Sequence, residues 1–130
     1  MTITIPEGKH DLLSREKKAF ANLALVLSDG SPQVTPIWFD WDGEHIIINT
    51  ARGRVKDKVL KKHPRVALDI IDPENPYHYL LIRGRVTDET EEGGYEQISS
   101  LNVKYHGNPN YPRHPGEVRV TYRITPDRIF

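Results

Sequence analysis

The residues best suited to chemistry crowd into one segment, Asn49-Thr-Ala-Arg-Gly-Arg-Val-Lys-Asp-Lys-Val-Leu-Lys-Lys62. Arg52, Arg54, Lys56, Lys58, Lys61 and Lys62 stand there against a single acid, Asp57. The whole chain has 18 basic and 18 acidic residues and no formal net charge, so this stretch departs from its surroundings. The basic residues begin where an apolar strand ends and run into a helix start. A helix N-terminus exposes unpaired N–H groups and the positive end of the helix dipole. Such a junction suits a phosphate or another anion. Thr50 adds a hydroxyl, and Gly53 permits close approach of the backbone. The plain alternative is a solvated Lys/Arg helix face.

Aromatic residues form the second feature. Trp38, Phe39 and Trp41 cluster together, and Tyr77 and Tyr79 open a later strand. Regular alternation turns Trp38 and Phe39 to opposite faces, so one of them faces outward or toward a partner. Other signals are thin. His10, His45, His63, His78, His106 and His114 show no metal-binding spacing. Ser99-Ser100 has no neighbouring base and no nucleophile-elbow glycines. Neither GxGxxG nor GxxxxGK[ST] occurs, so a Rossmann or P-loop nucleotide site is unsupported. No cysteine is present, which excludes disulfides, thiolate catalysis and Cys-ligated metal sites.

The elements that must position these residues are mostly strands. Apolar runs cover 19–27, 33–40 and 44–50, joined by Asp29-Gly30 and Asp42-Gly43 turns. Asp-Gly between apolar runs is a strong hairpin signal, so these three read as a meander. Pro36 inside the second implies an edge, a bulge or a break in pairing. A short helix suits Val55 to Lys62, stopped by His63-Pro64. Further strands cover 65–71, 77–87 and 118–125, with Gly84 marking a bulge or bend. A helix covers about 92–105, with Tyr95, Ile98, Leu101 and Tyr105 at helical spacing. A short surface helix is expected within 9–18. The acidic residues Asp88, Glu89, Glu91, Glu92 and Glu96 read as a solvated turn and helix start.

This sum is mainly β: six strands closing into a small antiparallel barrel with peripheral helices, a single domain over residues 1–130. With 130 residues, 37% of them hydrophobic, the chain is long enough for one core. Charge balance argues against a nucleic-acid partner. No apolar run approaches the ~20 residues of a membrane span, and the N-terminus has no secretory pattern. A soluble cytoplasmic protein is the expectation.

The order of these pieces resembles a known family. Asp29-Gly-x-Pro-Gln-Val-Thr-Pro-Ile-Trp-Phe39 precedes a strand ending Ile-Asn-Thr50. Lys56 and a helix closed by His63-Pro64-Arg65-Val66-Ala67-Leu68 follow, and then Leu81-Ile-Arg-Gly-Arg-Val-Thr87. Over roughly residues 15–125 this resembles the pyridoxamine 5'-phosphate oxidase-like flavin-binding split-barrel superfamily. The short chain and the spacing from Arg54 and Lys56 to Pro64 look most like its branch of deazaflavin (coenzyme F420)-dependent reductases. The resemblance implies a homodimer of six-stranded split barrels with cofactor sites at the dimer interface. It implies that the cofactor ring lies against Thr35, Pro36, Ile37 and Trp38. It also implies that Thr50, Arg54 and Lys56 hold the phosphate, with backbone contacts from Ala51 and Val55. Tyr79 falls near the tail or ring, and Tyr105 or Tyr111 on the substrate side of the partner's site. Lys58, Lys61 and Lys62 suit a polyglutamate tail. The chain has no counterpart to the C-terminal Trp and Arg contacts of true pyridoxamine phosphate oxidases, which favours the reductase branch over vitamin B6 oxidation.

By that resemblance the activity is hydride transfer from reduced coenzyme F420 to an electron-poor double bond of a small molecule. FMN in the same cradle is the alternative cofactor. A non-catalytic carrier of a flavin or haem-like ligand is the alternative class. No metal is called for.

Overall fold

The computed structural model describes residues 3–130. A 3-10 helix, Glu7–Leu13, leads into seven strands and two α-helices. The strands are β1 (Ala21–Val26), β2 (Pro32–Ile37), β3 (Asp40–Trp41), β4 (Ile46–Ala51), β5 (Arg65–Asp72), β6 (Asn75–Thr90) and β7 (Arg119–Ile129). Helix α1 (Val55–Lys62) links β4 to β5, and α2 (Gly94–His106) links β6 to β7. All seven strands form one antiparallel sheet in the order β2-β1-β5-β6-β7-β4-β3.

The count is seven, not six, because the second apolar run breaks after Ile37. Phe39 is fully buried and drops into the core, while Trp38 turns onto α2. Asp40 and Trp41 then resume as β3, paired with Ile47 and Ile46 of β4. The expected meander is therefore also wrong. β2 sits at one end of the sheet and β3 at the other. Local turn signals identified both hairpins, but burial of Phe39 decided that the chain crosses between them. The barrel is correspondingly split: its two end strands share no ladder among the described residues. Pro36 pairs with Asn22 on the end strand β2, where a missing N–H is tolerated.

Helix α1 has the expected bounds, and its Val59 and Leu60 are buried while Val55 is exposed. In α2, Ile98 and Leu101 pack inward and Val103 is exposed, as their spacing requires. The short surface helix expected within 9–18 is instead a 3-10 helix over Glu7–Leu13 that buries Leu12 and Leu13. The acidic run does not all lie in a turn. Asp88, Glu89 and Thr90 extend β6, paired with Arg123, Tyr122 and Thr121 of β7.

Gly84 lies where the β6–β7 register shifts. A Cβ there would sit 2.7 Å from the Thr125 carbonyl oxygen and 2.9 Å from Ile124 Cγ2. The backbone oxygen cannot move aside cheaply. Gly84→Ala is expected to cost about 1–3 kcal/mol by overpacking, read as a shift in the urea midpoint at constant m. An unchanged midpoint would show that the β6 bend does not depend on this close approach.

Candidate functional site

Alternation along β2 turns Gln33, Thr35 and Ile37 inward and Val34 and Pro36 outward. Gln33 and Thr35 line a groove of about 220 Å³ together with Thr50, Arg54, Val55 and Lys56. β2 and β4 are far apart in strand order, so only a strongly curled sheet brings their residues to one groove. Five of the ten expected site residues thus converge: Thr35, Thr50, Arg54, Val55 and Lys56.

The helix start in this groove carries the expected polarity. No side chain caps α1 from position Arg54. The N–H groups of Val55, Lys56 and Asp57 belong to its first turn, which has no intrahelical acceptors. Gly53, at φ +90°, makes the reversal that brings Arg54 to the helix start. Lys56 is half-buried and, among the described residues, has no carboxylate within ion-pair distance. Desolvation, reinforced by the neighbouring Arg54 charge, holds its ammonium below the usual lysine range. Arg54 is largely exposed, and its one acidic partner among the described residues is Glu117, at 3.4 Å. The groove thus presents two cations, two threonine hydroxyls and a helix N-terminus. That donor set fits a phosphate.

The other five expected residues do not line this groove within one chain. Pro36 faces away from it, and Ile37 is in the core. Trp38 stacks on Tyr105 of α2, ring centres 5.2 Å apart and 12° from parallel. Ala51 is buried, and its carbonyl accepts the Arg54 N–H. Tyr79 lies on β6 opposite Ile71, with Lys9 Nζ 5.5 Å above its ring. Tyr105 has its hydroxyl committed, donating to the Ala19 carbonyl at 2.7 Å. Burial pushes that phenol up to about 12. Tyr111 lies under the Arg119 guanidinium.

Arg52 leaves the cationic set altogether. Its guanidinium bonds Asp57 (2.9 Å), Glu89 (2.7 Å) and Glu91 (2.8 Å). Glu89 and Glu91, with Asp57 behind them, raise its already high pKa further. Asp57 also accepts from Gly53 N–H at 3.0 Å and from the Tyr122 hydroxyl. Burial pushes the Asp57 carboxyl up, but the bonds from Tyr122, Gly53 and Arg52 outweigh it and leave it below the usual range. Burial and the Asp57 bond push the Tyr122 phenol well above its ordinary value. This cluster ties the Arg52–Arg54 turn to α1 and β7, and so fixes the turn that carries Arg54.

Sequence reasoning missed Gln33, Glu117 and Lys104. Gln33 was available from its two-residue spacing to Thr35. Glu117 is remote in sequence and sits in a Pro/Gly-rich loop, with no local signal. Lys104 hides in α2 on the side that spacing assigns to packing. It is buried and donates to the Phe39 carbonyl at 2.7 Å, with Nζ 4.0 Å from the Phe39 ring centre. Burial pulls its ammonium down to about 8, with Asp40 opposing and Arg15 assisting. Between that value and the ordinary 10.5 the unfolded chain binds the extra proton, so stability rises with pH in this window. Melting temperature is expected to climb from pH 8 to pH 10, and Lys104→Met is expected to flatten the climb. A wild-type profile as flat as the variant's would refute the charged burial.

The sequence pattern of the pyridoxamine 5'-phosphate oxidase family matches residues 10–130. The chain belongs to that family. Within this family of oxidoreductases the chain is similar to a solved F420 reductase. The two are 36% identical, with 97% of this chain and 98% of that one covered, and a TM-score of 0.85. A conserved protein of Mycobacterium tuberculosis shares the fold at 22% identity, with 98% and 84% covered and a TM-score of 0.72. HupZ of Group A Streptococcus does so at 21% identity, with 98% and 93% covered and a TM-score of 0.68. Among curated proteins no sequence matches this chain. No helix among the described residues is long and apolar enough to cross a membrane.

Proposed function

We propose that the chain is a coenzyme F420-dependent reductase that passes a hydride to an electron-poor double bond of a small molecule. The observation that carries this reading is the unpaired, half-buried Lys56 ammonium at the α1 start, in one groove with Thr35, Thr50 and Arg54. The 36% identity to an F420 reductase supports the choice of cofactor. In this reading Thr50, Arg54 and Lys56 hold the cofactor phosphate, and Ala51 and Val55 contribute main-chain contacts. Thr35, Pro36, Ile37 and Trp38 flank the ring, and Tyr79 serves the tail side. Because five of these residues lie outside the one-chain groove, the reading also requires a homodimer that completes each site. The outer edge of β2 has no strand partner among the described residues and is free for such pairing. The protein is expected in the cytoplasm.

When bound, reduced deazaflavin supplies the hydride, and enones, quinones and tetrapyrroles are suitable acceptors. The chain's own work is to hold the phosphate and orient the ring. No side-chain nucleophile is needed. FMN is the second reading, favoured by the family and by a cradle that any flavin phosphate fits.

The test is equilibrium binding of coenzyme F420 and of FMN, followed by oxidation of the reduced preferred cofactor with an acceptor panel. Tight F420 binding and protein-dependent oxidation are expected. Preference for FMN moves the chain to the flavin branch. Binding without turnover makes it a carrier. Failure to bind either returns the groove to a solvated helix start.

A further inference from the structure

Glu117 stands between the groove and a buried arginine. Its Oε2 is 3.4 Å from Arg54 Nη2, and its Oε1 is 3.4 Å from Arg119 Nη1. Neither contact is close. Arg119 Nη1 is buried and, among the described residues, makes no hydrogen bond, although Arg119 Nε donates to Asn49 Oδ1 at 2.9 Å. A buried guanidinium N–H without an acceptor is costly. The Glu117 backbone is held: its N–H bonds the His114 carbonyl at 3.0 Å, and the neighbouring Val118 carbonyl accepts Arg52 N–H at 2.9 Å. Its side chain is therefore the part that can move. Its carboxylate is shared between two cations, one at the groove and one buried beside Asn49.

We propose that Glu117 is a charge gate on the phosphate groove: it competes with an incoming anion for Arg54, and once displaced it closes onto Arg119 Nη1. The proposal rests on the reading that the groove takes a phosphate. An incoming phosphate, doubly charged in FMN and singly charged in the F420 diester, meets Lys56 and Thr50 as well as Arg54, and the hydrogen bond gained at Arg119 offsets part of the cost of displacing Glu117. Glu117 thus acts as the repulsive element that discriminates between ligands, and is a specificity-determining residue rather than a catalytic one.

The experiment compares wild type, Glu117→Gln and Arg54→Ala in binding FMN and riboflavin, and coenzyme F420 and its phosphate-free deazariboflavin core. Gln retains a carbonyl that can accept from Arg119 and removes only the charge. Glu117→Gln is expected to tighten the phosphate-bearing ligands by about 3- to 10-fold and to leave the phosphate-free ones unchanged. The gain is expected to shrink toward one as salt is raised from low ionic strength, because it is a charge effect. A merely structural role would move both ligands of a pair together and would not track salt. Unchanged or weaker phosphate binding by Glu117→Gln, with wild-type binding still lost in Arg54→Ala, overturns the gate and spares the phosphate reading. Wild type that gains nothing from the phosphate, and is indifferent to Arg54→Ala, overturns both.

Discussion

Lys56→Ala is expected to weaken binding of the phosphate-bearing cofactor by about 10- to 100-fold, the loss of one charge-assisted hydrogen bond to phosphate. The same substitution is expected to leave the free protein as stable as wild type, or slightly more so. Lys56 lies in the first turn of α1, where the helix dipole disfavours a cation. It is half-buried beside Arg54, and both features already pull its pKa down. Without a ligand its charge is unhelpful, so removing it releases a small local strain of a few tenths of a kcal/mol. An anion reverses the balance, because the same desolvation strengthens the attraction. Opposite signs for affinity and stability are the mark of a residue kept for binding. Lys58→Ala is the control for FMN, since Lys58 is exposed on the same helix. Titration and thermal melting of the three proteins decide the matter. Equal affinity in wild type and Lys56→Ala would remove Lys56 from the proposed cradle.

Asp57→Ala is expected to cost about 3–5 kcal/mol, the range for breaking a buried, paired charge. Asp57 is 3% exposed and receives the Tyr122 hydroxyl, the Arg52 guanidinium and the Gly53 N–H. Arg52 keeps Glu89 and Glu91, but the Tyr122 hydroxyl, buried at 0% exposure, is left without the carboxylate. The loss corresponds to a fall in melting temperature on the order of 10 °C or more. The pH dependence carries a definite sign. The folded carboxyl lies below its ordinary 3.8, so the folded state holds its proton less tightly than the unfolded chain. The stabilisation is therefore complete above about pH 4 and drains away as pH falls through the folded value. Asp57→Asn is expected to fall furthest behind wild type at pH 7, and the gap is expected to narrow below pH 4. Melting curves at both pH values test this. A gap of constant size would mean that the carboxylate charge is not what Tyr122 and Arg52 recognise. Because Asp57 holds Gly53, cofactor affinity is expected to fall with stability, unlike the Lys56 case.

Much of the fold was readable because it is written locally. Asp29-Gly30 and Asp42-Gly43 set both early hairpins, since few residues accept the backbone angles that such turns need. Apolar spacing set the bounds of α1, and Gly84 marked the bend of β6. Four of the six groove residues were equally local: Thr50, Arg54, Val55 and Lys56 lie within seven consecutive positions, so a strand end and a helix start bring them together by themselves. Through-space choices were not readable. Trp38 and Phe39 looked like the end of the 33–40 strand, and only the core's demand for Phe39 broke it there and sent the chain to the far edge. Charge alone made Arg52 part of the cationic patch, whereas Glu89 and Glu91, delivered by an extended β6, neutralise it.

By itself, then, the amino-acid order determined a β-rich chain with an anion-friendly helix start, because turn chemistry, periodicity and helix polarity act over a few residues. Tertiary structure alone decided that Thr35 faces that helix start, that Glu117 reaches Arg54 and that Lys104 is buried. Those outcomes depend on how a curled sheet closes over one shared core, and no short stretch of sequence encodes which distant side chains will meet there.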